Sequence, residues 1–405
     1  MMQPDRPAWC ASLWKCLLKG CPSRRSLRWR WSSDGQGGSA DMSVQMDRIA
    51  CFREALAAFR GPFDRWLERY LDGRARLCRD CSPDLEDLAA VLKDFSLRPG
   101  KRLRPFLVVW GSRAVSDLPE EQILPVAAAA EMLHVFALAH DDVMDCSDTR
   151  RGLPTVHRMF EAIHGERSLR GSAAQFGLSG AILLGDYALA LSDALIDSSP
   201  LPGERRQALR GVWDRMREEV ILGQFMDVAA SCSSVPAPEE TIHRILSLKS
   251  GKYTLERPLH LGVAAAGGGA DLYGLFSRYG EPLGRAFQIQ DDILGMFGSP
   301  DVTGKPADSD IREGKSTLLI SRAFERASAS EREAILAAWG SSDAPADAVQ
   351  RVREIVRGTG ALEEARAAAR RAADEAVAAL DEAPLPADVR EVLLGLAEFV
   401  LDRDA

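Results

Sequence analysis

Two acidic clusters contain the residues of this chain best suited to chemistry. The first is the run Asp141-Asp142-Val143-Met144-Asp145, and the second is the pair Asp291-Asp292, 150 residues further along. Apolar residues recur around the first cluster with helical spacing, so Asp141 and Asp145 share one helix face and Asp142 points away from them. Carboxylate oxygens are the ligands that Mg²⁺ prefers, together with water and phosphate oxygens. A single cluster would more often be a solvated helix turn, but the second pair favours a shared magnesium and phosphate site.

Basic residues accompany both clusters. The segment Gly100-Lys101-Arg102-Leu103-Arg104-Pro105 places three cations within four residues at a predicted helix start, where the helix dipole adds positive potential. Arg150 and Arg151 follow the first cluster, where their guanidinium groups can bind diphosphate oxygens in pairs. Lys249 and Lys305 supply cations near the second pair. The first segment alone could be a surface basic patch, but cations beside every carboxylate cluster indicate an enzyme that handles two polyphosphorylated substrates.

The elements that hold these clusters are predicted to be helices. Alanine-rich runs at 127–130 and 367–379, with few clusters of β-branched residues, favour an all-α chain. No linker is evident after residue 46, so we expect residues 46–405 to form one domain. The periodicity predicts helical segments over 48–70, 84–95, 105–116, 124–145, 179–197, 204–229, 239–260, 270–295, 315–339, 346–382 with a break at 358–360, and 387–401.

Composition excludes several classes of protein. The 405 residues are 46% hydrophobic and 27% charged, which is enough for a large core. A net charge of −8 argues against a nucleic-acid partner. The longest uncharged run that we find, 171–185, has 15 residues, so no integral membrane span is expected. Eight cysteines follow no disulfide framework, which predicts a cytoplasmic location. A zinc or redox role for the Cys78 and Cys81 spacing lacks a second ligand pair nearby.

Residues 1–45 differ in composition from the rest of the chain. They contain four of the eight tryptophans and several arginines, and an apolar patch at 11–18 that is interrupted by Lys15. A targeting segment would need a longer apolar stretch and a small-residue cleavage site. We interpret these residues as a disordered extension, or as the result of an upstream start codon with Met42 or Met46 as the true first residue.

Taken together, the motifs resemble those of the trans-type polyprenyl diphosphate synthase family, the short-chain head-to-tail prenyltransferases. The resemblance runs from about Gly100 to Thr317, with the motifs in family order and at similar spacing. Single motifs are weak signals, but the whole set is specific. It consists of GKRLRP, DDVMD with DTRRG and PTVH, GD at 185–186, GQFMD, LKSGKYTLERPLHLG, FQIQDDILGMFG and VTGKPADSDIREGKSTL.

The resemblance implies an all-α isoprenoid synthase fold, a helical bundle around a deep central cavity with the two aspartate motifs facing each other across its mouth. It implies a homodimer and three Mg²⁺ ions per active site, with Mn²⁺ as an alternative ion. Asp141 and Asp145 would bind two of these ions and Asp291 the third. Asp142 and Asp292 would support them from nearby positions.

The same resemblance assigns the substrate-binding residues. Arg150, Lys249 and Lys305 would hold the allylic diphosphate. Isopentenyl diphosphate would be held by Lys101, Arg104, His134 and Arg151. Further polar residues would border the cavity or the metals, although buried groups that join helices would look the same in sequence. These are Gln224, Asp227, Ser250 in place of the usual Thr, and Gln288.

The reaction implied is the condensation of isopentenyl diphosphate with dimethylallyl, geranyl or farnesyl diphosphate. In the family, product length follows the residues before the first motif, here Phe136 and Ala137. One aromatic residue five positions before Asp141 goes with a C20 product, so we expect geranylgeranyl diphosphate, with farnesyl (C15) or longer products as alternatives. Phe136 could also be an ordinary core residue.

One position departs from the family pattern, because Gly295 stands where many relatives carry a third aspartate of the second motif. We expect activity to survive, since the first aspartate makes the direct metal bond in the family. Three other functions stay open at this stage. They are a class I terpene cyclase, a non-catalytic subunit of a heteromeric synthase, and a structural helix bundle in which the clusters are accidental.

Overall fold

Helices make up nearly all of the chain that the computed structural model describes, namely residues 38–298, 308–381 and 383–402, with side chains from residue 47 onward. Short helices and the only described strands, β1 Thr149–Arg150 and β2 Leu153–Pro154, connect the longer helices. The all-α prediction is therefore confirmed. In chain order the helices are α1 Gly38–Cys81, α2 Glu86–Leu97, α3 Leu103–Arg113, α4 Glu120–Met144, α5 Val156–Glu166, α6 Ala173–Ser198, α7 Gly203–Ser231, α8 Glu239–Ile245, α9 Arg257–Ala266, α10 Ala270–Phe297, α11 Ser309–Arg312, α12 Leu318–Arg326, α13 Ala329–Ala338, α14 Ala346–Gly358, α15 Ala361–Leu380 and α16 Ala387–Leu401.

Helix α4 lies at the centre of the bundle. Its alanines 127–130 are fully buried, and it packs against α6 on one side and α3 on another. A helix that is apolar on all sides belongs in a core, because burial of its whole surface is favourable. The polar C-terminal end of α4 carries the first acidic motif, so a largely buried core helix positions Asp141 and Asp145.

Helix α10 carries the second acidic motif from the other side of the bundle. It packs against α15 and against a π-helical segment, Leu246–Glu256, which joins α8 to α9. One continuous hydrophobic cluster connects these helices and runs from Phe52 in α1 to Val400 in α16. Both acidic motifs therefore extend from parts of the same rigid core.

Two helices are long and apolar enough to cross a membrane by length and composition alone, α4 and α6. Buried core helices meet the same criterion, and 78% of the apolar window of α4 lies inside the protein. Only 44% of the window of α6 is buried. Part of the outer face of α6 is apolar, because Ile182 and Leu183 are exposed there. The neighbouring α7 adds exposed Ile221, Leu222 and Phe225.

Several predicted boundaries differ from the structure. The segment predicted as one helix over 315–339 is two helices, because Ser328 and Glu331 form a capping box that starts α13. The helix predicted over 239–260 is wound as a π-helix between Leu246 and Glu256. The short helix α5 and the hairpin of β1 and β2 were not predicted.

The start of the chain stays a prediction. Residues 1–37 lie outside the described residues, and α1 already begins at Gly38, before the predicted domain start at residue 46. At the other end, α16 packs along α1, where Arg48 donates a hydrogen bond to Glu398. The ordered core thus joins the first described helix to the last.

Candidate active site

The first acidic motif lies at the C-terminal end of α4. The backbone N–H of Asp145 donates to the Asp141 carbonyl oxygen, so the last turn closes and both carboxylates emerge on one side. Asp142 is fully buried on another side, and Arg150 of β1 binds it through Nε and Nη2 at 2.8 and 2.7 Å. Arg150 Nη2 also lies 3.1 Å from Asp141 Oδ2. A single guanidinium group therefore joins the buried and the outward-facing aspartates.

Lys249 lies on the opposite side of Asp141. Its Nζ is 3.4 Å from Asp141 Oδ1 and 2.6 Å from Asp227 Oδ2. Burial opposes the charged form of Lys249, but Asp141 and Asp227 outweigh it and raise the pKa of the ammonium group. A Cβ at Gly223 of α7 would lie 2.5 Å from the Lys249 backbone nitrogen, so the close approach of α7 to the π-helical segment requires glycine. Gln224 donates to Asp141 Oδ1 at 3.1 Å.

Lys315 lies between the first acidic motif and a neighbour of the second, and no sequence pattern singled it out. Its Nζ lies 3.1 Å from Asp145 Oδ2 in the first motif and 3.9 Å from Asp310 Oδ1, which packs beside the second. Glu313 Oε2 is 2.7 Å away. Burial disfavours the ammonium, but Asp310 and Asp145 outweigh it and hold the pKa of Lys315 well above its usual value. One half-buried cation thus lies between Asp145 of the first motif and Asp310 beside the second.

The second motif occupies the last part of α10. Asp292 is buried, and Gln288, one turn earlier, donates to its Oδ1 at 2.9 Å. Burial, and next the negative charge of Asp310, raise the pKa of Asp292 well above its usual value. Asp291 is half-buried on the adjacent helix position. Burial and the neighbouring carboxylates therefore disfavour a negative charge on Asp292.

A basic cluster surrounds His134, about two helical turns before Asp141 on α4. Arg104 donates from Nη2 to Thr254 Oγ1 at 2.8 Å and stacks 4.1 Å from the Tyr253 ring centroid. His134 Nδ1 lies 3.1 Å from the Tyr253 hydroxyl oxygen. Burial, and then Arg104 and Arg151, hold the pKa of His134 well below its usual value. The imidazole is therefore neutral at pH 7 and sits in a field of fixed positive charge.

Arg151 borders the same cluster, and Lys101 has a different neighbour. Arg151 and Gly152 both have positive φ, 55° and 73°, as a tight two-residue hairpin turn between β1 and β2 requires. Because Arg151 is in the turn, its side chain reaches different groups from that of Arg150. The Arg151 guanidinium donates to the Pro99 carbonyl. Lys101 Nζ lies 5.5 Å from the Phe287 ring centroid of α10. The short hairpin thus directs two consecutive arginines to different groups.

Arg102 has a different place from its neighbours in the basic segment. In sequence it is one of three cations within four residues, but its side chain is buried. It donates to Asp64 Oδ1 at 2.8 Å and forms an ion pair with buried Glu131. Arg102 therefore fixes the start of α3 to α1 and α4, whereas Arg104 contacts Tyr253 beside His134.

Four predicted residues have less structural support. Lys305 lies outside the described residues, since 299–307 are not described. Ser250 is half-buried in the π-helical segment beside Lys249. Phe136 is buried in α4, with its ring 4.8 Å from that of His140, and Ala137 is half-buried. Phe136 and Ala137 lie about one turn before Asp141, toward the interior of the bundle.

The donor set of the acidic motifs fits a magnesium ion. Among the described residues, no three His, Cys, Asp or Glu side chains stand close enough to ligate one ion by themselves. Mg²⁺ is usually bound by one or two carboxylates, with water and phosphate oxygens as the other ligands, so such a cage is not needed. Asp145 Oδ2 is buried and accepts no hydrogen bond, although the Lys315 ammonium is 3.1 Å away. Carboxylate oxygens of this kind are hard ligands suited to Mg²⁺.

Comparison with known proteins identifies the family. The family model described as polyprenyl synthetase matches residues 86–356. The chain belongs to this family and is a prenyltransferase. The matched range includes both acidic motifs, and it includes the cations around them, Arg150, Lys249 and Lys315.

Individual relatives agree with the family but differ in product. The chain is 32% identical to a geranylfarnesyl diphosphate synthase of Aeropyrum pernix over 309 residues, 75% of this chain and 90% of that one. It is 33% identical to a geranylgeranyl diphosphate synthase of Saccharolobus solfataricus over 312 residues, 75% and 86% of the two chains. Identity at this level therefore does not decide the product of this enzyme.

The fold is also similar to solved structures. A geranylgeranyl pyrophosphate synthase from Corynebacterium glutamicum, crystallised with isoprenyl diphosphate and magnesium, superposes with a TM-score of 0.83 at 37% identity. The superposition covers 86% of this chain and 99% of that chain. The all-α isoprenoid synthase fold expected from the motifs is thus confirmed.

Proposed function

We propose that this enzyme condenses isopentenyl diphosphate head-to-tail with dimethylallyl, geranyl or farnesyl diphosphate in a magnesium-dependent reaction, and that geranylgeranyl diphosphate is its main product. The observation that carries the proposal is the position of Lys315. Its ammonium contacts Asp145 of the first motif and approaches Asp310 beside the second, which supports a polar space shared by the two motifs. Cations and carboxylates alternate around that space, as a site for a metal-bound diphosphate requires.

The proposed roles follow the charges of the described side chains. Arg150 and Lys249, which contact Asp141 from two sides, would bind the allylic diphosphate, together with Lys305. The basic cluster around neutral His134 would bind isopentenyl diphosphate through Lys101, Arg104 and Arg151. Gln288 and Ser250 would support these groups. Asp141, Asp145 and Asp291 would hold three Mg²⁺ ions, with Asp142 and Asp292 nearby.

The residues of the site would act mainly by stabilising charge. Bound Mg²⁺ would neutralise the diphosphate and so promote its departure. Arg150 and Lys249 would stabilise the charge that grows on the leaving group as the C–O bond breaks. The double bond of isopentenyl diphosphate, held by Arg104 and its neighbours, would then form the new C–C bond to the allylic cation. The proton lost from the product would pass to the departing diphosphate.

Water must be kept away from the allylic cation. Phe136 and Ala137, on the interior side of Asp141, supply an apolar surface where the hydrocarbon chain would lie. A single aromatic ring at this depth is consistent with a C20 product. The relatives include both C20 and C25 synthases, so chain length is a proposal that rests on Phe136.

The assay for the proposed function supplies the purified enzyme with isopentenyl diphosphate and each of the three allylic starters, with Mg²⁺ or with excess chelator. We expect isopentenyl carbon to enter a longer prenyl diphosphate only when Mg²⁺ is present. Diphosphate release without incorporation of isopentenyl carbon would indicate a terpene cyclase instead. No release from any starter would indicate a non-catalytic subunit or a structural bundle.

A homodimer and a cytoplasmic location are further parts of the proposal. Exposed Ile182 and Leu183 of α6 and Phe225 of α7 lie on neighbouring helices, and apolar faces of this kind usually mark an interface. The described cysteines are free thiols, which suits a reducing compartment.

The oligomeric state is tested by light scattering on the double variant Leu183→Glu/Phe225→Glu. Two charges on this face should convert a dimer into a monomer. The control is Leu336→Glu, which changes an exposed leucine on the distant helix α13 and should leave the dimer intact. A monomeric wild-type protein, or an unchanged dimer in the double variant, would contradict an interface at this face.

A further inference from the structure

The second acidic motif has no carboxylate at position 295, and the side chain of another residue lies there. Gly295 lies one helical turn after Asp291 on α10, so a side chain at position 295 would project from the same face as Asp291. An ideal Cβ at this glycine would lie 2.3 Å from Asp310 Oδ2 and 3.1 Å from Asp310 Cγ. The Asp310 carboxylate therefore occupies the place that a longer side chain at position 295 would take.

Asp310 comes from the short helix α11, beyond the end of α10, and its side chain is mostly buried. Its other carboxylate oxygen, Oδ1, lies 3.9 Å from Lys315 Nζ, and Lys315 contacts Asp145 in the first motif. Asp310 is thus beside the second motif and oriented toward the space between the motifs.

The neighbouring acidic residue on the same helix has another role. Asp308 is bound by Arg312 Nε at 2.7 Å, an ion pair between residues four apart at the two ends of α11. This contact ties the short helix together and involves neither Gly295 nor Lys315. The orientation of Asp310 is therefore not a general property of the acidic residues in this segment.

We propose that Asp310 supplies the third carboxylate of the second acidic motif from the segment that follows the helix, and that Gly295 is the opening that admits it. The inference rests on the proposed function, because Asp310 acts as an outer partner of the magnesium ion assigned to Asp291. It is a positioning residue, which orients the water and diphosphate ligands of that ion. Loss of such a partner typically weakens metal binding by about 10–100-fold.

Isothermal titration with inorganic diphosphate, at a series of Mg²⁺ concentrations, tests this role without turnover. Asp310→Asn keeps the shape of the side chain and removes its charge. In Mg²⁺ we expect diphosphate affinity to fall about 10–100-fold, with the Mg²⁺ dependence moved to higher concentration. Without Mg²⁺ the affinity should not fall, because a negative charge has been removed near an anion. Asp308→Asn should bind as the wild type does.

A purely structural role would weaken binding equally with and without Mg²⁺, and that result would overturn the inference. Unchanged binding by Asp310→Asn at every Mg²⁺ concentration would overturn it as well. Thermal unfolding of each variant verifies that the protein is folded. Failure of the wild-type enzyme to bind diphosphate with Mg²⁺, or to condense substrates, would instead count against the proposed function itself.

A rescue experiment tests whether positions 295 and 310 share one place. Asp310→Ala should lose Mg²⁺-dependent diphosphate binding, and Gly295→Asp added to it should restore most of that binding, because the helix then supplies the carboxylate. The double variant with Gly295→Asn is the matched control, since it has the same size without the charge and should not restore binding. Equal binding by the two double variants would overturn the shared carboxylate position.

Discussion

The first acidic motif lies on one continuous helix, whereas the second combines a helix with a segment that follows it. Asp141 and Asp145 come from the end of α4 and meet cations from three other elements. Asp291 and Asp292 come from α10, but the space after them is filled by Asp310 from α11. The comparison teaches that one site can combine carboxylates fixed by local helix geometry with carboxylates that only tertiary structure brings together.

The largest loss of turnover is expected from a substitution in the first motif. Asp141 accepts contacts from Arg150, Gln224 and Lys249, so its charge organises every cation on that side. Asp141→Asn should lower kcat by about 10²–10³-fold, because stabilisation of the leaving diphosphate is lost. Steady-state kinetics with a saturating allylic starter measures the change. Near-normal turnover would show that the first motif does not organise the charge.

The next largest effect on activity is expected from substitution of Lys315, which lies between the two motifs. Lys315→Met removes the cation between Asp145 and Asp310 and should lower kcat/KM for the allylic substrate by about 10–100-fold, as expected for a lost charge-assisted contact. Lys315→Arg keeps the charge and should retain more activity than Lys315→Met. Equal activity in the two variants would mean that charge at this position is not what the site uses.

A smaller effect is expected within the second motif. Asp292 is buried with a raised pKa, and Gln288 already donates to its Oδ1. Asp292→Asn should therefore cost about tenfold in kcat/KM, near the lower limit for an outer partner of a metal, and much less than Asp141→Asn. The ratio of the two losses, measured under identical conditions, is the test. A larger loss for Asp292→Asn would reverse the order of the two motifs.

The smallest effect on rate, with a clear change in product length, is expected at Phe136, about one turn before Asp141. Phe136→Ala removes the aromatic ring one turn from Asp141 and should leave turnover close to that of the wild type while extending the hydrocarbon chain beyond C20. Mass analysis of the products gives the distribution of chain lengths. An unchanged distribution would show that Phe136 is a packing residue and does not limit product length.

The first motif could be predicted from sequence because helix periodicity alone places Asp141 and Asp145 on one face. Arg102 shows the limit of the same reasoning. Lys101, Arg102 and Arg104 look equivalent in sequence. Only the structure reveals that Arg102 pairs with Asp64 and Glu131 in the interior. A count of charges cannot tell which side chains meet buried partners.

Lys315 and Asp310 were missed for a related reason. Both lie within a motif that the sequence analysis quoted, but their partners are at Asp145 and Gly295, contacts that no local pattern predicts. The split between α12 and α13 was different, because Ser328 and Glu331 are a capping pair that can be read from sequence. The hairpin that orients Arg150 and Arg151 depends on two residues with positive φ, for which Gly152 was the only signal.

The central claim is that both acidic motifs bind the metals of a single diphosphate. A crystal of the enzyme grown with Mn²⁺ and inorganic diphosphate tests it, since anomalous scattering locates each ion directly. We expect ions at roughly 2 Å from carboxylate oxygens of Asp141, Asp145 and Asp291, all bridged by one diphosphate. Ions confined to one motif, or a diphosphate that contacts only one of the two, would contradict the account.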